Sequence, residues 1–173
     1  MRSTQLTTMA LVAGLLATQG CLPATSKEAF VGDAVELKCD GVWNVCLGQV
    51  AGCLLDEDHY ISGTFPGSRK VLVTTPEGDW KIRVEIFLDP DVTPRFPGTE
   101  TEISWFEPGC ADQYRYQMSL DNTSSGDFFE RAGRDNVFVV ERDVEEFGDH
   151  LVTIYSDAIT RYAVKTMVLK TRD

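Results

Sequence analysis

Apolar and polar positions alternate through most of this chain. In residues 80–88 every second residue, starting at Trp80 and running through Ile82, Val84, Ile86 and Leu88, is apolar, while Lys81, Arg83 and Glu85 lie between them. Because successive side chains of a strand point to opposite faces, this segment is predicted to be a strand with one buried face. The same alternation predicts strands over residues 35–39, 70–75, 103–106, 114–120, 137–141, 151–156 and 162–170.

Turn-forming residues separate these runs, at Pro66-Gly67, residues 76–79, residues 89–94, Pro97-Gly98, Pro108-Gly109 and residues 122–126. Seven or more short strands joined by turns predict an all-β fold, either an antiparallel sandwich, immunoglobulin-like or similar, or a barrel. The one predicted helix is short and covers residues 128–132, before Gly133. We expect a single domain over residues 34–173.

The carboxyl end carries a weak resemblance to a known architecture. Residues 146–156 have Gly148 near a strand start, alternating apolar residues follow it, and a second apolar run covers residues 158–170. This pattern resembles the closing hairpin of immunoglobulin-like sandwiches. The resemblance implies an architecture and no activity.

The amino terminus is organised as an export signal. Arg2 supplies a positive charge, residues 9–17 are apolar, and small or polar residues 18–20 precede Cys21. The apolar run is shorter than the about 20 residues that a membrane-spanning helix needs. Residues 1–20 are therefore predicted to be a signal peptide.

The sequence Leu-Ala-Thr-Gln-Gly-Cys at residues 16–21 resembles the cleavage site of bacterial lipoproteins. The resemblance implies that Cys21 is acylated and that residues 21–33 form the lipid anchor and a tether to the domain. Leu22, rather than Asp, follows the cysteine, which favours the outer membrane. The alternative is a soluble secreted or periplasmic protein in which Cys21 is a plain thiol.

Five cysteines are present, and setting Cys21 aside for lipid leaves four. In an exported chain Cys39, Cys46, Cys53 and Cys110 are predicted to form two disulfides, since their spacing does not match a zinc site. Four cysteines allow three pairings. We expect one local bridge within residues 39–53 and one long bridge to Cys110, with the apolar segment 41–53 held against the sheet.

The net charge is −11, with 27 acidic and 16 basic residues. Removal of the signal takes away only Arg2 and makes the chain one unit more negative. Such a surface repels nucleic acid and anionic lipid, so we expect no nucleic-acid partner. The simplest explanation for the acidity is that it keeps the protein soluble. The more specific explanation is that it attracts a basic partner or cations.

No catalytic, cofactor or metal site is predicted. His59 and His150 are expected at the surface or a strand edge, and no serine lies in a Gly-x-Ser-x-Gly motif. Residues 121–126 superficially match a calcium loop, but Ala132 stands where the bidentate carboxylate belongs. The acidic residues of segments 56–58 and 89–91 are expected to be solvated, although they offer oxygen ligands.

The aromatic residues are predicted to lie in the core, because they follow the period of two, rather than on a sugar-binding face: Trp43, Trp80, Trp105, Phe106, Tyr114 and Tyr116. We therefore expect a non-catalytic, lipid-anchored envelope protein that binds or helps to assemble a protein partner at the outer membrane. An exposed sheet edge, or the loops of residues 41–53 and 89–98, would dock that partner.

In arrangement, such a protein is similar to the small β-sandwich lipoproteins that serve secretion systems and secretin assembly. The alternatives are a module that binds carbohydrate or cations through the acidic loops and aromatics, and an envelope hydrolase with paired carboxylates.

Overall fold

The computed structural model describes residues 25–39, 41–45, 48–89, 100–119, 129–131 and 136–171. Its elements are α1 (Lys27–Val31), β1 (Val35–Glu36), β2 (Gly41–Val45), β3 (Gly48–Leu54), β4 (His59–Thr75), β5 (Trp80–Leu88), β6 (Glu100–Phe106), a 3₁₀ turn (Pro108–Cys110), β7 (Gln113–Ser119), β8 (Phe129–Arg131), β9 (Val137–Val144) and β10 (Gly148–Lys170). The all-β prediction is confirmed. Within these ranges, no helix has the length and apolar character to cross a membrane.

The long strands β4 and β10 organise the sheet by pairing antiparallel along their length. The other edge of β10 pairs first with β6, over residues 151–156, and then with β5, over residues 162–170. We call the first half-sheet β2-β3-β4-β10-β6-β7 and the second half-sheet β1-β4-β10-β5-β9-β8. β1 and β3 lie parallel to β4, a departure from the purely antiparallel arrangement that we predicted.

The two half-sheets meet at a bend in β4 and β10. The register shifts between Ser156 and Thr160, opposite Pro66, which has no N–H to donate to a ladder. The Ser156 hydroxyl accepts from the backbone N–H of Ala158, and the Thr160 hydroxyl donates to the Asp89 carbonyl. Side chains thus form hydrogen bonds with backbone groups where the strand ladder is interrupted. The predicted turn at Pro66-Gly67 and the predicted closing hairpin over residues 146–170 are therefore wrong, because both are continuous, bent strands.

One apolar cluster joins the inner faces of both half-sheets. Val71, Trp105 and Ile154 enter it from the first half-sheet, and Ile82, Ile86, Val140 and Val164 from the second. The sheet thus folds over itself like a sandwich. It stays open among the described strands, so the barrel alternative is not realised. The predicted burial of Ile82, Val84, Ile86 and Leu88 is confirmed.

Helix α1 covers the outer face of the second half-sheet. Ser26 caps it by accepting from the Ala29 N–H at 3.2 Å, and Gly32 ends it at φ +58°, where a residue with a side chain is strained. Phe30 is 1% exposed and stacks on Phe87 with ring centroids 5.7 Å apart. Residues 27–31, which we assigned to the tether, are therefore folded onto the domain.

The predicted helix over residues 128–132 is also wrong. Phe129–Arg131 form β8, whose residues pair antiparallel with Phe138–Val140 of β9. The local sequence favours neither state strongly, and the neighbouring strand decides the conformation.

Candidate docking surface

The β2–β3 hairpin forms one margin of the sheet. Its ladder runs from Gly41 opposite Gly52 to Val45 opposite Gly48. β3 in turn pairs with β4 only at Cys53 and Leu54. Within the described part of the chain, β2 pairs with no strand other than β3, so its outer edge is open. Val42, the second residue of β2, is 64% exposed.

A disulfide fixes the hairpin at its base. Cys39, just before β2, is bonded to Cys53 at the end of β3, with a Cα–Cα distance of 4.7 Å. This confirms the predicted local bridge. Cys53 is buried and pairs with Val71 of β4, so the bridge ties both arms of the hairpin to the long central strand.

The inner side of the hairpin packs on the first half-sheet. Trp43 and Val45 lie against a small buried cluster, separate from the main core, that consists of Val50, Leu72 and Leu151. The apolar residues Trp43, Val45 and Val50 of segment 41–53 are therefore used in packing. Gly52 permits the close approach, because a Cβ there would lie 2.9 Å from the Lys70 carbonyl oxygen.

Cys110 is also disulfide-bonded. Cys46, Cys21 and residues 90–98 of the second predicted docking loop lie outside the described residues, as do residues 121–126 of the superficial calcium loop. Asp89, which begins the second docking loop, donates its N–H to the Arg161 carbonyl at 2.9 Å.

The aromatic residues lie mainly where a core prediction puts them. Trp105 is fully buried and Tyr116 nearly so, while Trp80 and Tyr114 pack against the main core from its margin. Trp43 and Phe106 belong to the cluster under the hairpin. Tyr114 also carries the Arg142 guanidinium, whose central carbon lies 3.1 Å from the ring centroid. These rings are used in packing.

His150 is fully buried, so its predicted place at the surface or a strand edge is wrong. Its Nδ1 accepts from the indole N–H of Trp105 at 3.3 Å, and its Nε2 lies 3.0 Å from the Glu146 carbonyl oxygen. These partners require the neutral ring with the proton on Nε2. Burial lowers the pKa of His150 below its usual range. A buried polar partner such as Trp105 cannot be read from local sequence.

Two carboxylates are buried in the described part of the protein, and each is paired with a cation. Glu85 lies 2.7 Å from Arg83 and 3.5 Å from Lys165, and Glu107 lies 3.2 Å from Arg142. Arg83 also contacts Glu141, and that hydrogen bond lowers the pKa of the Glu141 carboxyl. Pairing offsets the cost of burying these charges. Sequence alternation alone predicted Glu85 on a solvated face, and α1 covers that face instead.

The acidic turn before β4 is held by its own residues. Asp56 contacts the His59 ring and accepts from the backbone N–H of Asp58 at 3.2 Å. Across the residues that the structure describes, no group of three or more His, Cys, Asp or Glu side chains is placed to hold a metal ion.

No protein-family model matches the chain, and no curated protein matches it significantly.

Proposed function

We propose that this chain is a non-catalytic, lipid-anchored protein of the cell envelope that binds a protein partner at the outer membrane. Cys21 carries the lipid, and the open edge of β2 is the docking element. The partner adds a strand to that edge or contacts the hairpin through exposed side chains such as Val42.

The observation that supports this proposal is the covalently fixed, open edge of the β2–β3 hairpin. An exposed edge strand presents unpaired backbone donors and acceptors, which proteins generally shorten, cover or charge. β2 carries no charged residue, since its sequence is Gly-Val-Trp-Asn-Val. The Cys39–Cys53 bridge holds this edge in place, which reduces the entropy that binding a partner costs.

The anchor is tested by the intact mass of the protein from a membrane fraction of a Gram-negative host, compared with the Cys21→Ala variant. Acylation on the wild type and its loss in the variant are expected, because several acyl chains give lasting attachment. A wild-type chain without acyl mass rules out the anchor and leaves an exported soluble protein.

The docking edge is tested in cells by placing a photo-crosslinking amino acid at Val42 and, as a control, at Ile159 in the β10 bend. Both positions are exposed and apolar, at 64% and 54%. A discrete adduct with one envelope protein is expected from position 42 and not from position 159. Equal adducts from both positions, or none from position 42, contradict docking at β2.

A further inference from the structure

An apolar cavity of about 370 Å³ opens at the surface where β3 ends. We call it the Leu54 groove. Leu55, Trp80 and Val168 line it. Leu55 belongs to the main core, and the other two pack against that core, so the groove is a place where the core reaches solvent. Leu54, at its margin, is 41% exposed.

The walls of the Leu54 groove are fixed by hydrogen bonds. The Leu55 N–H donates to the Leu72 carbonyl at 2.8 Å, and the Leu55 carbonyl accepts from the Thr166 hydroxyl at 3.1 Å. The Trp80 indole N–H donates to the Glu77 carbonyl at 3.3 Å. The indole therefore has its donor satisfied within its own turn, and its carbon surface remains to line the groove.

The rim of the groove is acidic. Asp56 and Glu57 line it and are exposed, and none of its lining residues in the described chain is Lys or Arg. An occupant with positive charge beside apolar groups complements this surface, whereas an anionic lipid surface is repelled. The overall charge of −11 acts in the same direction.

The backbone edge of β4 beside the groove favours a peptide over other ligands that combine apolar groups with positive charge. The Leu72 carbonyl accepts from Leu55, so the backbone polar groups of Leu72 point toward β3. Backbone direction alternates along a strand, so those of Thr74 point the same way. β3 has ended at Leu54 by this point, and Thr74 lines the groove. An extended chain laid there bonds to Thr74 while its side chains enter the cavity.

We infer that the Leu54 groove binds an extended segment of the partner protein in which Lys or Arg residues alternate with aliphatic residues. This inference rests on the proposed function and names the chemistry of the partner. The cavity volume falls near the low end of the about 300 to 1,000 Å³ typical of ligand sites, which suits a few side chains rather than a folded element.

The probe is a labelled synthetic peptide in which valine alternates with lysine and arginine, titrated into the purified full chain by fluorescence anisotropy. A matched peptide has glutamate in place of every basic residue. We expect saturable binding of the basic peptide and none of the acidic one. Leu54→Lys is expected to weaken binding about tenfold or more by removing apolar contact, and Glu57→Lys about fivefold by reversing a rim charge.

The matched control for Glu57→Lys is Asp112→Lys, which makes the same charge change in the β6–β7 connection, away from the groove. It is expected to change the affinity less than twofold, and thermal unfolding shows whether all three variants are folded. Three results overturn the inference: absence of saturable binding, equal affinity in wild type and both groove variants, or a preference for the acidic peptide.

Failure of the proposed function is separable from failure of this inference. Loss of acylation or of the Val42 adduct removes the anchor or the hairpin edge and leaves the peptide titration unaffected. If a Val42 adduct forms but peptide binding is unchanged in the groove variants, docking at the β2 edge is retained and binding in the Leu54 groove is ruled out.

Discussion

The guanidinium of Arg69 and the phenol of Tyr162 meet beside the bend of the two long strands. Arg69 Nε donates to the Tyr162 oxygen at 2.6 Å, and its other nitrogens donate to the carbonyls of Ser68 at 2.7 Å and Thr64 at 2.8 Å. Tyr162 also stacks on Phe65, with centroids 4.4 Å apart. The Arg69 side chain thus bonds to β4 residues on both sides of the bend and to Tyr162 of β10. Burial raises the pKa of the Tyr162 phenol.

Replacement of Arg69 by alanine is expected to lower the free energy of unfolding by about 1 to 3 kcal/mol, because it leaves several acceptors without a donor. Arg69→Lys is expected to recover little, since an ammonium group lacks the planar fork that reaches three acceptors. Tyr162→Phe, which removes one hydroxyl, serves as the milder comparison. Urea denaturation measures all three, and an Arg69→Lys variant as stable as wild type argues against the fork.

Acid is expected to destabilise the fold through His150. Its pKa is lowered by burial in the folded protein, while the unfolded chain binds a proton at about pH 6.5, so stability is retained above that pH and lost as the pH falls below it. The protonated ring would also place an N–H against the Trp105 donor. Urea midpoints at pH 7.5, 6.5 and 5.5 measure the effect.

His150→Gln is expected to flatten the dependence between pH 5.5 and 6.5, whatever it costs in overall stability. His59→Gln is the matched control, because it removes the other histidine, which is partly exposed at the start of β4. If the His150→Gln protein keeps the wild-type slope and the His59→Gln protein loses it, the assignment to His150 is wrong.

Gly52→Ala is expected to destabilise the hairpin by about 1 to 3 kcal/mol, since the added Cβ meets the Lys70 carbonyl oxygen at 2.9 Å and backbone must move to admit it. Ala51→Ser, at the adjacent exposed position, is expected to be nearly neutral. Thermal unfolding of both variants with the disulfides intact gives the comparison. Equal melting temperatures for Gly52→Ala and wild type indicate that β3 lies farther from β4.

The second disulfide is expected to join Cys46 to Cys110. Cys39 and Cys53 are paired with each other, and Cys110 is disulfide-bonded. Val45, the residue before Cys46, lines one cavity with Pro108 and Gly109, next to Cys110. Proteolysis without reduction, followed by mass spectrometry, should yield a peptide that links residues 46 and 110. A peptide linking Cys21 to Cys110 contradicts both this pairing and the lipid anchor.

Local sequence was enough to predict the all-β class, the buried face of β5 and one local bridge within residues 39–53, whereas the structure identified Cys39 and Cys53 as its partners. Alternation determines which side chains share a face, and the predicted export signal together with the number of cysteines favours paired thiols. These properties depend on residues close together in the chain. The prediction that Trp105 and Tyr116 lie in the core succeeded for the same reason.

Tertiary structure decided the rest. Whether Pro66-Gly67 ends a strand or bends it depends on the pairing of β4 with the distant strand β10 and on the contact between Arg69 and Tyr162, which are 93 residues apart. The conformation of Phe129–Arg131 depends on its pairing with β9. His150 is buried against Trp105, and Glu85 is buried because α1 covers its face of the strand. The sequence by itself determined the alternation of apolar and polar residues and the chemistry of the side chains. Only the folded chain determined which distant groups form hydrogen bonds and ion pairs with one another, because burial and pairing are properties of contacts.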